Sequence, residues 1–508
     1  MPPRTRPRGP DAKTVQWRKW KGLNLTDART AIGDDEMAWM ENAITIGEGA
    51  IQILNGPAAA VATVANGVTA WGMTLNGLAV ALVIGSDGSV TQVTIPGGVT
   101  TAVAPAGTVS ASAFVFGPWQ GTTALVIDPT LGYFSWNGTT WTVESVTVVG
   151  VTGAVFEGRV WISSSRTTRY TAPNTFNDFT AGNGAGSFIL TDEAFSGNII
   201  DLHSAVEQLW ITGQGAIEAL ANVVATGVAP TVVTTFSVTN IVTDLGSNAA
   251  SSVRGYLRAL AMNTPFGVYA LSGVTPQKIS EKLDGLYPDL TLGSSPTAVA
   301  VVQSLLCLMY LVTYNGSRAQ AGAGPTPMLL VFSQGKWCLA AQGTTLVWIT
   351  TVLVGGVAQA WGLTSAGGVF RLFGAANTTA VTYKVQSKLH DFGLIPLLKE
   401  LMMIGVEVQA SNVIAPTLTV DSELSSRTVA ITFQNIVTWT NAGGGLVQWQ
   451  NALGQDVFFF AIGLALAFRD APLAGHYLGW TISGTDPPYR IGAVMMQYQP
   501  SPPEEWVR

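Results

Sequence analysis

Charge is what this sequence has least of. Asp, Glu, Lys and Arg make up 11% of its 508 residues, well under half of the ~25% usual in soluble domains. A solitary protein keeps its surface free of sticky patches with roughly 25–35% charged residues, so a chain this poor in charge predicts extensive contact with other subunits. A surface made polar by Thr, Ser, Asn and Gln is the competing account. Cysteine is nearly missing too. The two present, Cys307 and Cys338, stand in SLLCLMYLV and GKWCLAA, where a thiol behaves as a small buried hydrophobe; a disulfide is possible and not needed. Long apolar runs are absent: the most apolar stretch, Val457 to Phe468, falls short of the ~20 residues of a membrane span and predicts a buried strand pair or core segment. No secretory signal opens the chain, which points to a protein made and kept in a cytoplasm, without stable membrane insertion.

Histidine numbers three: His203, His390 and His476. They are far apart, none sits near a Gly-x-Ser-x-Gly elbow, and no paired Cys or His spacing suggests zinc. No EF-hand-like calcium loop occurs. Gly182, Gly184 and Gly186 in AGNGAGSF lack the G-x-G-x-x-G spacing, a following Lys and a following helix, so they read as a loop. Glycoside hydrolysis needs only two placed carboxylates, and Asp178, Asp192, Glu193, Asp201 and Glu207 are candidates. Adjacent Asp192 and Glu193, however, would point to opposite faces of a strand. Ser86-Asp87-Gly88 does not fit the Asp box of sialidase-type propellers. The expectation is therefore a non-enzyme with no catalytic residue, no cofactor and no metal.

The charge that exists is unevenly placed. Residues 1–21 hold seven bases (Arg4, Arg6, Arg8, Lys13, Arg18, Lys19, Lys21) against Asp11, a net of +6, so the rest must sum to −12 for the whole to reach −6. An acidic body argues against stable duplex binding, which needs a basic footprint, yet lets a polyanion slide past. Arg4, Arg6, Arg8, Arg18 and Lys19 are the candidate partner-binding residues, on an arm that is otherwise a disordered terminus.

What is abundant is turn chemistry. The 56 glycines punctuate short runs of Val, Ile, Thr, Phe, Trp and Tyr, the signature of antiparallel hairpins. Asp87-Gly88 and Asn137-Gly138 predict two-residue hairpin turns, with Asn66-Gly67, Asn76-Gly77 and Asn315-Gly316 as further candidates. A diverged unit of strand, small polar turn and strand recurs in RVWISSSRTTRYTA, QLWITGQGAIEAL, GVYALSGVTPQKI, LMYLVTYNGS and MLLVFSQGKWCLA. Most of the sixteen tryptophans, among them Trp136, Trp141, Trp161, Trp210, Trp337, Trp348 and Trp361, lie in strand-like runs and predict packing between sheets rather than ligand stacking. Helix signals are few: a short one after Asp34 or Asp35 through Met37, Trp39 and Met40, an amphipathic Pro276 to Leu286, and an ambiguous Leu394 to Met402. The fold class expected is all-β: a β-propeller-like core of antiparallel hairpins with an additional C-terminal β-rich region, a chain of β-sandwiches being the competitor. The division expected is a basic arm at 1–21, a propeller-like body at 22–379, a β-rich region at 380–500 and a Pro-rich tail at 501–508. Closure of the propeller is expected from Ala43 to Leu54 pairing with a late strand.

Two long stretches add a resemblance. KGLNLTDARTAIGDDEMAWMENAITIGEGAIQILNGPA (Lys21 to Ala58) resembles the opening of the tail nozzle, or tail hub, proteins of short-tailed bacteriophages. GRVWISSSRTTRYTAPNTFNDFTAGNGAGSFILTDEAFSGNIIDLHSAVEQLWITGQGAIEAL (Gly158 to Leu220) is similar to their central propeller. FGVYALSGVTPQKIS (Phe266 to Ser280), PMLLVFSQGKWCLA (Pro327 to Ala340) and TYKVQSKLHDFG (Thr382 to Gly393) extend it. The bases that often close the first motif are missing from Ile53-Leu54-Asn55-Gly56-Pro57. The resemblance implies a virion structural protein: a homo-oligomeric ring, usually six subunits, below the portal and head-to-tail adaptor. DNA would pass transiently through its centre, fibres or spikes would dock outside, and assembly would take place in the host cytoplasm. A receptor-binding, fibre-like adhesion protein is the alternative, followed by a polysaccharide-degrading tail enzyme.

Overall fold

The computed structural model describes residues 11–501 apart from 192, 194, 196, 248, 250, 292–298, 303–306, 316–325, 343–344, 396, 434–438, 441–445, 448, 451–455 and 458–463. Strands dominate, with three single-turn 3-10 segments between them. The chain divides into two compact units: residues 57–333 with 342–372, and residues 1–56 with 334–341 and 373–508.

The first of these is a β-propeller. Five consecutive four-stranded antiparallel sheets run along the chain: blade 1 (67–104), blade 2 (114–145), blade 3 (152–189), blade 4 (199–242) and blade 5 (254–278). Blade 6 contributes Val299–Val302, Cys307–Tyr314 and Thr326–Ser333, with Leu290–Thr291 also paired to Cys307–Tyr314. Blade 7 holds Leu346–Val354, Val357–Thr364, Gly368–Arg371 and, from the other end of the chain, Ala62–Thr63. The innermost strands of blades 1 to 7 touch in turn, and that of blade 7 packs on that of blade 1. Among the described residues the ring therefore has seven blades.

Local chemistry makes each blade. At Asn76-Gly77 both residues adopt positive φ, 51° and 78°, the twist a two-residue hairpin needs, and Leu75 pairs with Leu78 across it. Asp87-Gly88 and Asn137-Gly138 also turn between paired strands, but within four-residue connections, 86–89 and 137–140, rather than the two-residue turns expected, and with positive φ at the glycine alone of each pair. Asn66-Gly67 leads into the first strand of blade 1 without joining two paired strands, and Gly316 lies outside the described residues. The core is built between blades: Phe156, Trp161, Leu202, Leu209 and Ile211 join blades 3 and 4, while Trp210, Ile217, Val253, Leu260 and Met262 join blades 4 and 5. Of the seven tryptophans singled out, six are buried and Trp141 is half-buried. Cys307 and Cys338 are buried thiols.

Closure differs from expectation. Ala43–Ile46 and Ala50–Ile53 do reach a late strand, Arg490–Pro500, but within the second unit. The propeller is closed by Ala62–Thr63 on Gly368–Arg371, helped by Val61 N–H to Val369 O at 2.8 Å and Val64 N–H to Gly367 O at 2.9 Å. The expected domain boundaries shift with it: residues 22–56 belong with the C-terminal segment, not with the blades.

The second unit has two sheets. One orders Ala43–Ile46, Ala50–Ile53, Arg490–Pro500, Lys399–Gln409 and Leu464–Gly475, with Lys13–Trp17 also on Arg490–Pro500. The other orders Lys336–Ala340, Glu36–Glu41, Val381–Ser387, Leu478–Asp486, Thr417–Ser422 and Ser426–Ala430. Their shared core includes Trp20 edge-on to Trp480 at 5.9 Å. Tyr489 donates to Tyr383 and Tyr383 to Asp486, both at 2.8 Å.

Four local readings are corrected. Glu36–Glu41 is a strand, not a helix capped by Asp34 or Asp35, because it is hydrogen-bonded along both edges, to Val381–Ser387 on one side and to Gly22–Leu23 and Lys336–Ala340 on the other. Leu394 to Met402 leads into the strand Lys399–Gln409. Pro276 to Leu286 supplies the end of a blade 5 strand and then one 3-10 turn, Glu281–Leu283. Of Val457 to Phe468, residues 458–463 lie outside the described residues; in the strand that follows, Leu466 is 50% and Phe468 39% exposed, so the described part is not a buried core.

Candidate functional site

Each innermost strand ends its sheet, so one row of its backbone N–H and C=O groups has no strand partner there. Six of these strands enclose an axial cavity of about 530 Å3. Its wall combines an aromatic side, Trp71, Phe114 and Phe116, with a charged side, Asp201, His203 and Arg254. Trp71 and Phe114 stand edge-to-face, centroids 4.6 Å apart.

The charged side arises from a local irregularity. The innermost strand of blade 4, Ile199–Ala205, carries a bulge between Ile199 and Asp201 against its hairpin partner, a device that re-aims a side chain. Asp201 and His203, two residues apart, share one face of the strand beyond it. Thr152 of blade 3 donates from Oγ1 to Asp201 Oδ1 at 2.9 Å and accepts the Leu202 N–H at 3.1 Å. Asp201 Oδ2 is buried with no hydrogen-bond partner. Burial pushes the carboxyl up to about 7, with Arg254 and the Thr152 hydroxyl opposing. His203 Nε2 accepts the Gly255 N–H of blade 5 at 3.0 Å, which places the imidazole proton on Nδ1. Desolvation and the neighbouring Arg254 hold this histidine down at about 3, so it is neutral. Arg254 donates from Nη1 to the Val253 carbonyl at 2.7 Å. On the opposite side of the ring, Gly72 N–H donates to Thr350 Oγ1 at 2.8 Å. A polar belt of side chains thus ties neighbouring blades around the axis.

Among the described lining residues, none forms a hydrogen-bonded nucleophile–base pair. Of the acids considered for hydrolysis, Asp201 alone lines the cavity. Asp178 accepts Thr180 N–H at 2.9 Å and Asn183 Nδ2 at 2.8 Å, which organises the AGNGAGSF loop and lowers its carboxyl. Glu193 and Glu207 occupy exposed turns, and Asp192 lies outside the described residues. His390 and His476 belong to the two-sheet unit. Arg254, the residue that sequence reasoning passed over, is separated from Asp201 by more than a blade, and no spacing rule would have joined them.

A second candidate lies on the propeller's rim. The outer hairpin of blade 4, Ile217–Thr226 with Val233–Val242, carries no charged residue from Ala219 to Thr243. Its outer strand has ten residues, against five, five, four and four in blades 1, 2, 3 and 5. Val224, Val228, Val233 and Val238 are exposed along it. Solitary proteins blunt such an edge with Lys, Pro or a bulge; here the pairing is irregular between Ile217 and Glu218 and between Ala221 and Val224 and Pro230 stands at the tip, but no charge guards the edge. Of the basic arm, Arg18 reaches Glu407 at 3.3 Å and Lys19 is exposed, while Arg4, Arg6 and Arg8 lie outside the described residues.

No family model matches the chain, and no curated protein matches it. Solved structures do. A chain of a mitotic checkpoint complex is 11% identical, covering 63% of this chain and 94% of its own, with a TM-score of 0.39. BamB from Moraxella catarrhalis is 11% identical over 70% of this chain and 97% of its own, at 0.35. The β-propeller domain of Cps50 (Swd1) from Myceliophteria thermophila is 7% identical over 63% and 98%, at 0.39.

Proposed function

We propose that this chain is a non-catalytic structural subunit of a phage virion, the tail nozzle that forms a ring of six below the portal and adaptor of a short tail. The observation that carries an assembly role is the long, charge-free outer edge of blade 4, whose exposed backbone and valines need a partner to be stable in water. The 11% charge of the whole chain and the resemblance of Lys21–Ala58 and Gly158–Leu220 to nozzle proteins support the same reading. DNA would run through the centre of the ring, since the propeller's own axial cavity of about 530 Å3 is far too small for a duplex. A body carrying −12 outside its first 21 residues suits a conduit, because every Lys or Arg against phosphate adds a salt-dependent attraction that slows sliding. Fibres or spikes would dock on the outer surface, and the protein would reside in the tail of the virion.

Light scattering and negative-stain imaging of the purified chain test this. Rings of six are expected. A monomer at tens of micromolar overturns the assembly reading, and a trimer favours the fibre-like one. Strong binding to duplex DNA at physiological salt that survives removal of residues 1–21 overturns the conduit.

A further inference from the structure

We propose that the axial cavity of the propeller is a binding site for an acidic monosaccharide, its carboxylate on Arg254 and a hydroxyl on Asp201. This inference is independent of the assembly role.

The cavity of about 530 Å3 falls within the ~300–1,000 Å3 of small-molecule pockets. Its polar groups are unequally satisfied. Thr152 spends its hydroxyl on Leu202 and Asp201, and His203 Nε2 is taken by Gly255. Asp201, 1% exposed, keeps Oδ2 without a partner. An orphaned buried carboxylate oxygen carries an uncompensated desolvation cost, which a donor from a ligand removes. Arg254 uses Nη1 on its own neighbour's carbonyl and interacts with the Asp201 carboxyl through space. Its guanidinium therefore offers remaining N–H groups to an anion, and a planar carboxylate matches that fork.

A sugar fits better than an amino acid. A hydroxyl can donate to Asp201 when it is ionised and accept from it when it is protonated, whereas an ammonium serves only the ionised form. The wall facing the charged side carries Trp71, Phe114 and Phe116, and aromatic rings accommodate the apolar face of a pyranose.

Saturation-transfer NMR on the full chain, with D-glucuronate, D-glucose and glutamate as probes, decides the matter. Glucuronate should receive saturation, glucose at least tenfold less at equal concentration, and glutamate less than glucuronate. Arg254→Gln should reduce the glucuronate signal at least tenfold and leave any glucose signal unchanged. Asp201→Asn should weaken glucuronate less than Arg254→Gln does. The comparison among probes uses the unaltered protein, so it stands even if a variant fails to fold. Equal signals from glucose and glucuronate, a stronger signal from glutamate, or no signal from any probe would overturn the proposal.

Discussion

The propeller and the two-sheet unit solve the same problem, covering both faces of many short strands, by opposite means. The propeller is assembled from neighbours in sequence: each blade closes through turns of a few residues, and its core lies between consecutive blades. The two-sheet unit draws its strands from three separated stretches and fastens them with buried and half-buried polar groups. Arg29 pairs with Asp421 at 2.8 Å and donates to the Ser387 carbonyl. Asn42 bridges the Ala341 and Thr382 carbonyls. The Lys399 ammonium, wholly buried, donates to the carbonyls of Leu394, Leu397 and His476 at 2.8, 3.1 and 2.6 Å. The lesson is one of degree: the blades carry buried polar ties of their own, such as Thr152 to Asp201 and Arg159 to the Thr171 and Gly184 carbonyls, but consecutive blades are brought together by their short connections, whereas separated stretches depend on specific polar partners to define register.

Lys399→Met should break that contrast most severely. Burial lowers the Lys399 pKa, yet the three carbonyls keep the ammonium in place, and removing it leaves all three without their donor. A loss of about 3–5 kcal/mol is expected, in the range for breaking a buried charged network. Hydrogen exchange should show Lys399–Gln409 and its neighbours losing protection while blades 1 to 5 keep theirs. Equal loss in blades and sheets would mean that the two regions do not differ as described.

The same contrast explains what was legible in the sequence. Asn76-Gly77 announced its hairpin because a two-residue turn demands positive φ at both positions, and Asp87-Gly88 and Asn137-Gly138 announced theirs because the glycine of a longer turn takes positive φ; both are local properties. The strand Glu36–Glu41 passed for a helix because Trp39 and Met40, adjacent in sequence, are both buried, which breaks the alternation that marks a strand. Residues 22–56 were assigned to the propeller because nothing local tells a strand which of two late partners, Arg490–Pro500 or Gly368–Arg371, it will meet. The axial cavity was hidden for a related reason. Asp201 and His203 were visible as scarce polar residues, but their approach to Arg254 follows from the closure of the ring, and the bulge that aims Asp201 leaves no mark in the text.

Inside the propeller, pH separates the cavity's two titratable groups. Asp201 has its folded pKa raised to about 7 from an unfolded value near 3.9, so its contribution is fully present below about pH 4 and is lost as pH rises to about 7. His203 has its folded pKa lowered to about 3; its contribution is present above about pH 6.5 and is lost as pH falls toward 3. Between these limits the two slopes oppose each other, and Arg254, positive throughout, does not add a third. Asp201→Asn should therefore raise stability at pH 8 by about 2–4 kcal/mol, from a shift of roughly three units at 1.36 kcal/mol each. It should also leave the propeller more acid-sensitive, since the His203 slope is then unopposed. Urea midpoints at pH 4.5 and 8 measure both. An unchanged pH profile in the variant would show that Asp201 is not held protonated by burial.

The smallest effect is expected at the tip of the same hairpin, where the propeller departs from its own rule. The innermost strand of blade 4 turns into Gln208–Gly213 through Val206 and Glu207, with Ala205 paired to Gln208. Both turn residues have positive φ, 53° and 58°, and a β-branched side chain is poorly suited to that region. In blade 1 the equivalent turn is Asn76-Gly77. Val206 is 54% exposed, so its side chain gains little from packing to offset the backbone cost. Replacing Val206 and Glu207 together with Asn and Gly should stabilise the propeller by about 1–2 kcal/mol, from the cost of roughly 1–2 kcal/mol for a left-handed residue other than glycine less the added entropy of glycine in the unfolded chain. The midpoint of urea unfolding should rise with no change in slope. A fall instead would mean that Val206 and Glu207 are held in place by a contact at the mouth of the axial cavity, and that this turn is kept for binding rather than for folding.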